Sequence, residues 1–199
     1  MLLLASGSPR RHQLLTALAV PFRVLVKPDI DEAFPPHLRG AAVAEFLAQH
    51  KAAAYDAEVA AGDAVLTADT IVCLGAANEE RILNKPADAA EARQMLTTLA
   101  GRTHEVHTAV CLRTAARTWL FHDTTRVTFA PLMASEIAHY VEHYKPLDKA
   151  GAYGAQDWWG LVAITRLEGS YFTVMGLPTH RVYAVLREAG LVGEALMTA

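Results

Sequence analysis

Segments that favour β-strands alternate with segments that favour α-helices along most of the chain. Short apolar runs at residues 2–6 and 22–26 are each followed by a longer stretch with helical spacing, at residues 9–18 and 41–60. The two patterns do not interchange, because side chains repeat every second residue in a strand and about every 3.6 residues in a helix. The alternation predicts an α/β fold with a mixed sheet and flanking helices.

The rest of the chain continues the alternation. The predicted elements are strands at 64–74, 104–114 and 118–130, helices at 88–99, 135–144 (capped by Ser135) and 178–188, a turn at 77–80, a loop at 153–160, and one or two strands within 161–175. The segments 104–114 and 118–130 are predicted to form a hairpin. With 52% hydrophobic residues and no long linker, the chain of 199 residues is predicted to be a single domain, residues 1–199.

Composition excludes several classes of protein. A net charge of −3 provides no basic field for nucleic acid. The apolar run at residues 2–6 is too short for a signal peptide, and no run approaches the length of a membrane span. Cys73 and Cys111 lie in apolar runs and are predicted to be buried and reduced. We therefore expect a cytoplasmic protein without a nucleic-acid or membrane partner.

The first helix is predicted to begin with two arginines. Ser8 is a favourable N-cap residue and Pro9 suits the first helical position, so Arg10 and Arg11 fall in the first turn. The amino end of a helix already carries partial positive charge, which disfavours cations there. Two explanations stay open: the arginines pair with acidic surface groups, or they bind a multiply charged anion such as phosphate.

Asp69 interrupts the apolar run of residues 64–74. A buried carboxylate is costly unless it is paired, binds a metal or changes its protonation. It can serve as a metal ligand or general base, or it can bond to a neighbouring turn at the end of a strand. Asp69 alone favours neither explanation.

Two lysines extend the set of candidate cations. Lys51 lies near the apolar face of its predicted helix, and Lys85 follows a strand and precedes a proline. Each is compatible with an ordinary solvated lysine, the usual state of that side chain. Together with Arg10 and Arg11 they supply the charge that a bound triphosphate demands.

Two histidine pairs are weak metal motifs. His104 and His107, in "HEVH", lie three residues apart on a predicted strand and therefore face opposite sides of the sheet. His139 and His143 have the spacing of a helical metal clamp. An exposed polar helix face explains the second pair better, because no further ligand stands nearby in the sequence.

Several ordered blocks of the chain resemble the Maf family of nucleoside triphosphate pyrophosphatases. They are "LASGSPRRHQLL", "LTADTIVCL", "ILNKP", "AEARQMLTTLAGRTHEVHTAV", "PLDKAGAYGAQ" and "GSYFTVMGLP". The resemblance covers nearly the whole chain and is more specific than any single motif, since the blocks keep the family's order and spacing. It implies a two-lobed α/β fold with a central cleft, similar to inosine triphosphate pyrophosphatases, and a homodimer.

The resemblance also implies an activity, the hydrolysis of a nucleoside triphosphate to the monophosphate and pyrophosphate with a divalent cation. The family's catalytic acid–base residue falls on Asp69, and an acidic loop residue that helps to hold the metal falls on Glu32. The family's phosphate-binding positions fall on Ser8, Arg11, Lys51 and Lys85.

The substrate subgroups of the family differ at positions that fall on Arg10, Thr70 and Gln156. These residues resemble the subgroup that acts on dTTP and UTP, whereas the 7-methyl-GTP subgroup carries Trp, Gln and Glu. The chain departs from the family after Gln156, where Asp157 stands in place of glycine, and Asn84 replaces the usual glycine before "KP".

Trp158 and Trp159 follow this departure. Adjacent indoles in a loop either stack on a nucleotide base or cover the hydrophobic core or an interface. A pocket rebuilt by these side chains would favour 7-methyl-GTP or another modified nucleotide, which is the alternative substrate.

Residues and resemblance together predict a metal-dependent hydrolase. Asp69, helped by Glu32, is expected to hold Mg²⁺ or Mn²⁺ and to orient or deprotonate a water that attacks the α-phosphorus. The leaving pyrophosphate is expected to be stabilised by the amides near Ser8 and by Arg10, Arg11, Lys51 and Lys85. The alternative from another class is a non-catalytic nucleic-acid-binding or cell-division regulatory protein, which the acidic net charge and the buried Asp69 argue against.

Overall fold

The computed structural model describes residues 1–59, 62–75 and 80–192. The strands are β1 Leu2–Leu4, β2 Phe22–Val24, β3 Ala64–Leu74, β4 Arg81–Leu83, β5 Thr103–Thr114, β6 Thr118–Phe129 and β7 Ile164–Glu168. The helices are α1 Pro9–Ala17, α2 Ala41–Ala53, α3 Ala89–Leu99, α4 Ala134–Tyr144, α5 Trp158–Ala163, α6 Tyr171–Val174 and α7 Thr179–Glu188. Short 3₁₀ helices occupy Asp56–Glu58 and Ala150–Ala152.

The strands form a seven-stranded sheet of order β2-β1-β3-β5-β6-β7, in which β4 pairs with β3. β1 runs parallel to both of its neighbours, while β4 and β7 run antiparallel to β3 and β6. Parallel neighbours need a crossover, and α1 supplies it between β1 and β2. β5 and β6 are neighbours joined by residues 115–117, which is the predicted hairpin. The predicted α/β class with a mixed sheet and flanking helices is confirmed.

The chain forms two compact units. The first unit contains Met1–Asp69, Thr108–Asp123 and Gly176–Ala199, and the second contains Thr70–His107 and Thr124–Met175. Three boundaries between the units fall within β3, β5 and β6, and the fourth lies between Met175 and Gly176, after α6. The prediction of a single domain over residues 1–199 stays a prediction.

The core of the first unit is built from the buried strand β1 and the inward faces of α1 and α2. Leu14 and Leu15 are the buried side chains of α1. A separate small cluster contains Leu3 of β1, Val65 of β3 and Tyr55, which follows α2 by two residues. Tyr55 thereby anchors the chain just after α2 against the sheet, which matters for the site because α2 carries Lys51.

The second unit has a larger aromatic core. α3 and α4 bury one face each, and they pack with side chains of β6 and α5. Its fully buried large side chains include Leu96, Leu99, Phe129, Tyr140 and Trp159. This core lies beneath the segment that carries Gln156.

Three predicted elements differ from the structure. Residues 158–163 form the short helix α5 rather than a loop and strand, because Trp159 and Ala163, one turn apart, are both buried. The helix predicted over 41–60 ends at Ala53, where the chain turns so that Tyr55 is buried. The N-cap of α4 is Met133 rather than Ser135, since Glu136 reaches back to the Met133 amide at 2.7 Å.

The remaining differences are small. The turn predicted at 77–80 lies outside the described residues except for its last position. Cys73 and Cys111 are free and buried, as predicted. Among the described residues, the helices are all too short or too polar to cross a membrane.

Candidate active site

Asp69 lies in β3 and is 8% exposed, so the predicted burial of this carboxylate is confirmed. Thr67, two residues earlier, is on the same side of the strand because side chains alternate. The Thr67 hydroxyl donates a buried 2.7 Å hydrogen bond to the carbonyl oxygen of Ala48 in α2. This bond fixes α2 against β3 about one helical turn before Lys51.

Lys51 joins two acidic side chains. Its Nζ donates to Asp69 Oδ1 at 2.5 Å and lies 2.7 Å from Glu32 Oε1. The Lys51 and Asp69 side chains are 16% and 11% exposed, so water screens their attraction less than it screens a surface ion pair. We call Lys51, Asp69 and Glu32 the acid–lysine cluster.

The loop after β2 carries Glu32 into this cluster. Ile30 packs against the buried cluster around Tyr55, and the Tyr55 hydroxyl accepts a 2.8 Å hydrogen bond from the Lys27 amide. The Ala33 amide, directly after Glu32, donates a 2.9 Å hydrogen bond back to Asp31 Oδ1. The loop is therefore held on both sides of its acidic residue.

The amino end of α1 is organised around Ser6. Ser8 is at the N-cap with an extended backbone, but its side chain makes no capping hydrogen bond. The Ser8 amide instead donates to Ser6 Oγ at 3.3 Å, and one terminal nitrogen of Arg11 donates to the same oxygen at 3.3 Å. Arg11 Nε donates to the carbonyl oxygen of Gly176 at 2.9 Å. Arg11 is thus held in a defined orientation within the first unit.

The arginines share an electric field with the acid–lysine cluster. Burial lowers the pKa of the Arg11 guanidinium, Asp69 and Glu32 act to raise this pKa, and Arg10 acts to lower it. With Lys51, the group contains three cations and two carboxylates. The excess of positive charge is compatible with a bound anion, and the nearby carboxylates are compatible with the other explanation, pairing with acidic groups.

Three predicted residues lie in the second unit. Thr70 directly follows Asp69 in β3 and is half-buried, while Lys85 and Gln156 are exposed. Lys85 comes directly after β4 and the loop residue Asn84. Lys51, Asp69 and Glu32 are therefore in contact within the first unit, while Lys85 and Gln156 belong to the second unit.

The loop around Gln156 is held by Tyr140. The Tyr140 hydroxyl accepts a 3.1 Å hydrogen bond from the Gly154 amide and donates a 3.0 Å bond to Asp157 Oδ2. Lys149 Nζ lies 3.8 Å from the same oxygen. Burial raises the pKa of Tyr140, so the phenol keeps the proton that it donates. Asp157, the residue that departs from the family pattern, is a structural anchor of this loop.

The two tryptophans after Asp157 pack into the core. Trp159 is fully buried, with its ring centroid 5.6 Å from that of Phe129 in an edge-to-face arrangement. Trp158 is half-buried and stacks on Tyr140 at 6.4 Å. A buried Trp159 cannot stack on a nucleotide, so for this residue the core interpretation is correct.

Gly160 lets the tryptophans reach the core. A Cβ atom at this position would lie 1.8 Å from the carbonyl oxygen of Ala155. A side chain there would move the backbone of the Gln156 loop. The glycine at the end of "QDWWG" is therefore required by close packing.

Three histidines of the two pairs, His104, His139 and His143, make hydrogen bonds within the fold. His104 Nε2 is hydrogen-bonded to the Tyr153 hydroxyl at 2.8 Å, and burial lowers the pKa of His104 to about 4. His143 Nδ1 donates to the carbonyl oxygen of His139 one turn earlier at 2.8 Å. His139 and His143 are both exposed, so the predicted exposed polar helix face is confirmed.

Sequence reasoning missed three features of the site. The sequence predicts that Lys51 binds phosphate but gives no sign of its contact with both carboxylates. Thr67 had a usable signal, since it is a second polar residue on the Asp69 side of an apolar strand. Tyr140 had none, because its partners Gly154 and Asp157 are distant in sequence.

The oxygen atoms of the acid–lysine cluster fit a hard divalent cation. Asp69 Oδ1 and Glu32 Oε1 both converge on the Lys51 nitrogen, so two carboxylates already face one centre of positive charge. Carboxylate oxygens are the ligands that Mg²⁺ and Mn²⁺ prefer. Asp69 and Glu32 are therefore the residues that would hold such an ion in the first unit.

Comparison with known proteins shows relatives over nearly the full length of the chain. A dTTP/UTP pyrophosphatase of Flavobacterium johnsoniae is 45% identical over 185 residues, which is 93% of this chain and 93% of the relative. A dTTP/UTP pyrophosphatase of Bacteroides fragilis is 44% identical over 187 residues, covering 94% and 95% of the two chains. One from Porphyromonas gingivalis is 46% identical over 191 residues, covering 95% and 94%.

Solved structures support the fold. The Ham1 protein of Staphylococcus aureus matches with a TM-score of 0.50 and 14% identity, covering 92% of this chain and 98% of that chain. A HAM1 protein from Coxiella burnetii matches with a TM-score of 0.50 and 16% identity, covering 94% and 98%. A family model described as Maf-like protein matches residues 1–189. The chain belongs to the Maf-like protein family.

Proposed function

We propose that this chain hydrolyses dTTP and UTP to the monophosphate and pyrophosphate. The observation that carries the proposal is the acid–lysine cluster, in which Lys51 joins Asp69 and Glu32 in the unit whose first helix begins with two arginines. This arrangement supplies carboxylates for water activation and cations for phosphate. The names of the relatives support the choice of substrates.

Asp69 is the proposed catalytic base. It orients or deprotonates the water that attacks the α-phosphorus, and the bond from Lys51 to Oδ1 holds the carboxylate in one orientation. A positioned base contributes about 10²–10⁴ to the rate. Most of the remaining acceleration comes from orientation and from charge placed to match the transition state.

The phosphates bind to the cations and to the amino end of α1. Arg10, Arg11 and Lys51 neutralise the developing charge, and the amides near Ser8 donate hydrogen bonds to phosphate oxygens. Lys85 is the proposed cation of the second unit. Asp69 and Glu32 would hold Mg²⁺ or Mn²⁺, which would add positive charge against the triphosphate.

Gln156, with Thr70 and Arg10, is proposed to select the base. Its carboxamide offers an acceptor for N3–H and a donor for O4 of uracil and thymine. A flipped carboxamide would pair with cytosine, so discrimination against CTP requires a fixed amide orientation. The bonds of Tyr140 to the Gly154 amide and the Asp157 carboxylate hold the loop on both sides of Gln156. Thr70 or the backbone of this loop is the proposed partner that fixes the amide.

Hydrolysis in ¹⁸O-labelled water tests the reaction. We expect pyrophosphate release from dTTP and UTP with Mg²⁺, and one ¹⁸O atom in the monophosphate, since the water attacks the α-phosphorus. Label in pyrophosphate would contradict the mechanism. A preference for 7-methyl-GTP would support the alternative substrate, and the absence of turnover on every triphosphate would support a non-catalytic regulatory protein.

Assembly and location complete the proposal. We propose a homodimer in the cytoplasm, without nucleic acid as a partner, on the basis of the family resemblance and the acidic net charge. Sedimentation velocity at several protein concentrations tests the dimer. A single monomeric species throughout would contradict it.

A further inference from the structure

The second unit contains a cluster of metal-ligand side chains that the proposed reaction does not use. Cys73, Glu80 and His107 each place one donor atom within 4.8 Å of the others. Cys73 lies in β3, His107 lies in β5, and Glu80 directly precedes β4. Because β3 is the sheet neighbour of both β4 and β5, the sheet itself brings the side chains together.

The three side chains of this cluster are shielded from water and two of them are hydrogen-bonded to each other. Cys73 and His107 are 3% and 5% exposed, and Glu80 is half-buried. The Cys73 thiol donates a hydrogen bond to Glu80, and burial together with this negative neighbour raises the pKa of the thiol. The thiol proton therefore occupies the position between sulfur and carboxylate that a metal ion would take on binding.

His107 is oriented by a partner outside the cluster. Its Nδ1 is hydrogen-bonded to the Thr124 hydroxyl at 2.8 Å. When Nδ1–H donates to Thr124, Nε2 carries the lone pair that binds a metal, which is the usual arrangement of a metal-binding histidine. Glu105, two residues earlier on the same side of β5, has Oε2 3.5 Å from His107 Nε2.

We propose that Cys73, Glu80 and His107 form a binding site for Zn²⁺ or a similar thiophilic divalent cation, with Glu105 as the neighbouring fourth donor. A donor set of sulfur, nitrogen and carboxylate oxygen favours zinc over magnesium. The all-oxygen pair Asp69 and Glu32 has the opposite preference. The proposal is independent of the proposed function, because none of its ligands belongs to the acid–lysine cluster.

Binding at this site would connect β3, β5 and the residue that precedes β4. An ion that binds the folded chain and not the unfolded chain stabilises it in proportion to the logarithm of its free concentration. We therefore expect Zn²⁺ to raise the melting temperature of the protein, while Mg²⁺ without nucleotide does not act through these ligands.

Cobalt titration of the full, untagged, chelator-treated chain tests the site. We expect one equivalent of Co²⁺ to bind with a thiolate-to-cobalt charge-transfer absorption that Zn²⁺ abolishes and Mg²⁺ does not. The band should disappear in Cys73→Ser and persist in Cys111→Ser, whose cysteine is the other buried thiol. Failure of wild type to show the band, or its persistence in Cys73→Ser, would overturn the proposal.

Glu80→Gln gives a second test that does not depend on replacing a buried residue. Removing this half-buried ligand should weaken Co²⁺ and Zn²⁺ binding at least about tenfold, and circular dichroism should show the wild-type fold. Unchanged affinity in the folded variant would overturn the ligand set. Pyrophosphate release from dTTP with Mg²⁺, measured in parallel, reports on the proposed function separately.

Discussion

The acid–lysine cluster of the first unit and the Gln156 loop of the second unit are held by different forces. In the cluster, Lys51 contacts two carboxylates at 2.5 and 2.7 Å, and charge organises the side chains. In the loop, the buried Tyr140 hydroxyl binds Gly154 and Asp157, and an aromatic core supports the backbone. Changes in the cluster should therefore affect the rate on every substrate, and changes in the loop should affect the choice among substrates.

The substitution with the largest expected effect is Asp69→Asn, which tests whether the acid–lysine cluster controls the rate on every substrate. The amide keeps the size of the side chain but cannot act as the base, so turnover should fall by about 10²–10⁴ on all triphosphates. Pyrophosphate release under saturating substrate measures the effect. The fold should persist, because the amide oxygen can still accept a hydrogen bond from Lys51.

Asp56→Asn is the matched control for this experiment. Asp56 is an exposed acid of the same unit, paired with Arg113 at 2.9 Å. Its variant should retain the wild-type rate. A folded Asp69→Asn protein that is as active as Asp56→Asn would remove Asp69 from the mechanism.

The aromatic core beneath the loop should lose stability in acid. His104 has a pKa of about 4 in the folded chain, against 6.5 for an exposed histidine, because it is buried. At a pH between 4 and 6.5, His104 is protonated in the unfolded chain but not in the folded chain. The free energy of unfolding therefore falls as the pH falls. The loss should reach about 3 kcal/mol near pH 4.

Urea unfolding at several pH values from 7 to 4 measures this effect as the difference between wild type and His104→Gln. As the pH falls from 7 to 4, the free energy of unfolding should fall more in wild type than in His104→Gln. Parallel curves for the two proteins would show that His104 does not titrate in this way.

Lys51→Met tests the charge balance of the cluster. The substitution keeps an unbranched side chain but leaves Asp69 and Glu32 without their shared cation, so kcat/KM should fall about ten- to a hundredfold on each triphosphate. Arg113→Met removes a surface ion pair of the same unit and should change little. Equal losses of kcat/KM in the two variants would show that removing any positive charge from this unit has the same effect, whatever its position.

Tyr140→Phe should have the smallest effect on the rate and should act on selectivity. Loss of the hydroxyl leaves the Gly154 amide and Asp157 without this partner, at a cost of about 1–3 kcal/mol in stability. The preference for dTTP over GTP should narrow several-fold while kcat on dTTP stays close to wild type. Tyr144→Phe, at an exposed position of the same helix, should leave the preference unchanged.

The sequence predicted those parts of the fold that depend on local patterns. The strand at 64–74 matches β3 at both ends, since its apolar run and flanking residues define it locally. Asp69 was identifiable because one carboxylate in such a run is unusual. α5 was missed because six residues give too little periodicity, and Trp159 is helical only through burial in the core.

The candidate site shows the same limit. Residue type and position selected Lys51, and the family resemblance selected Glu32, but their contact depends on the loop after β2 and on the bond from Thr67 to α2. Cys73 and His107 were identified as residues without being connected, because only strand pairing brings them together. Long-range contacts of this kind leave no mark on a single sequence.

The most direct test measures kcat/KM for dTTP, UTP, CTP, GTP and 7-methyl-GTP on wild type, Lys51→Met and Gln156→Glu. In wild type, dTTP and UTP should be the best substrates. Lys51→Met should lower every value by a similar factor, whereas Gln156→Glu, which removes the donors and adds negative charge, should impair dTTP and UTP more than 7-methyl-GTP. If instead Lys51→Met changed the order of substrates and Gln156→Glu lowered all of them equally, the division between chemistry and base selection would be wrong.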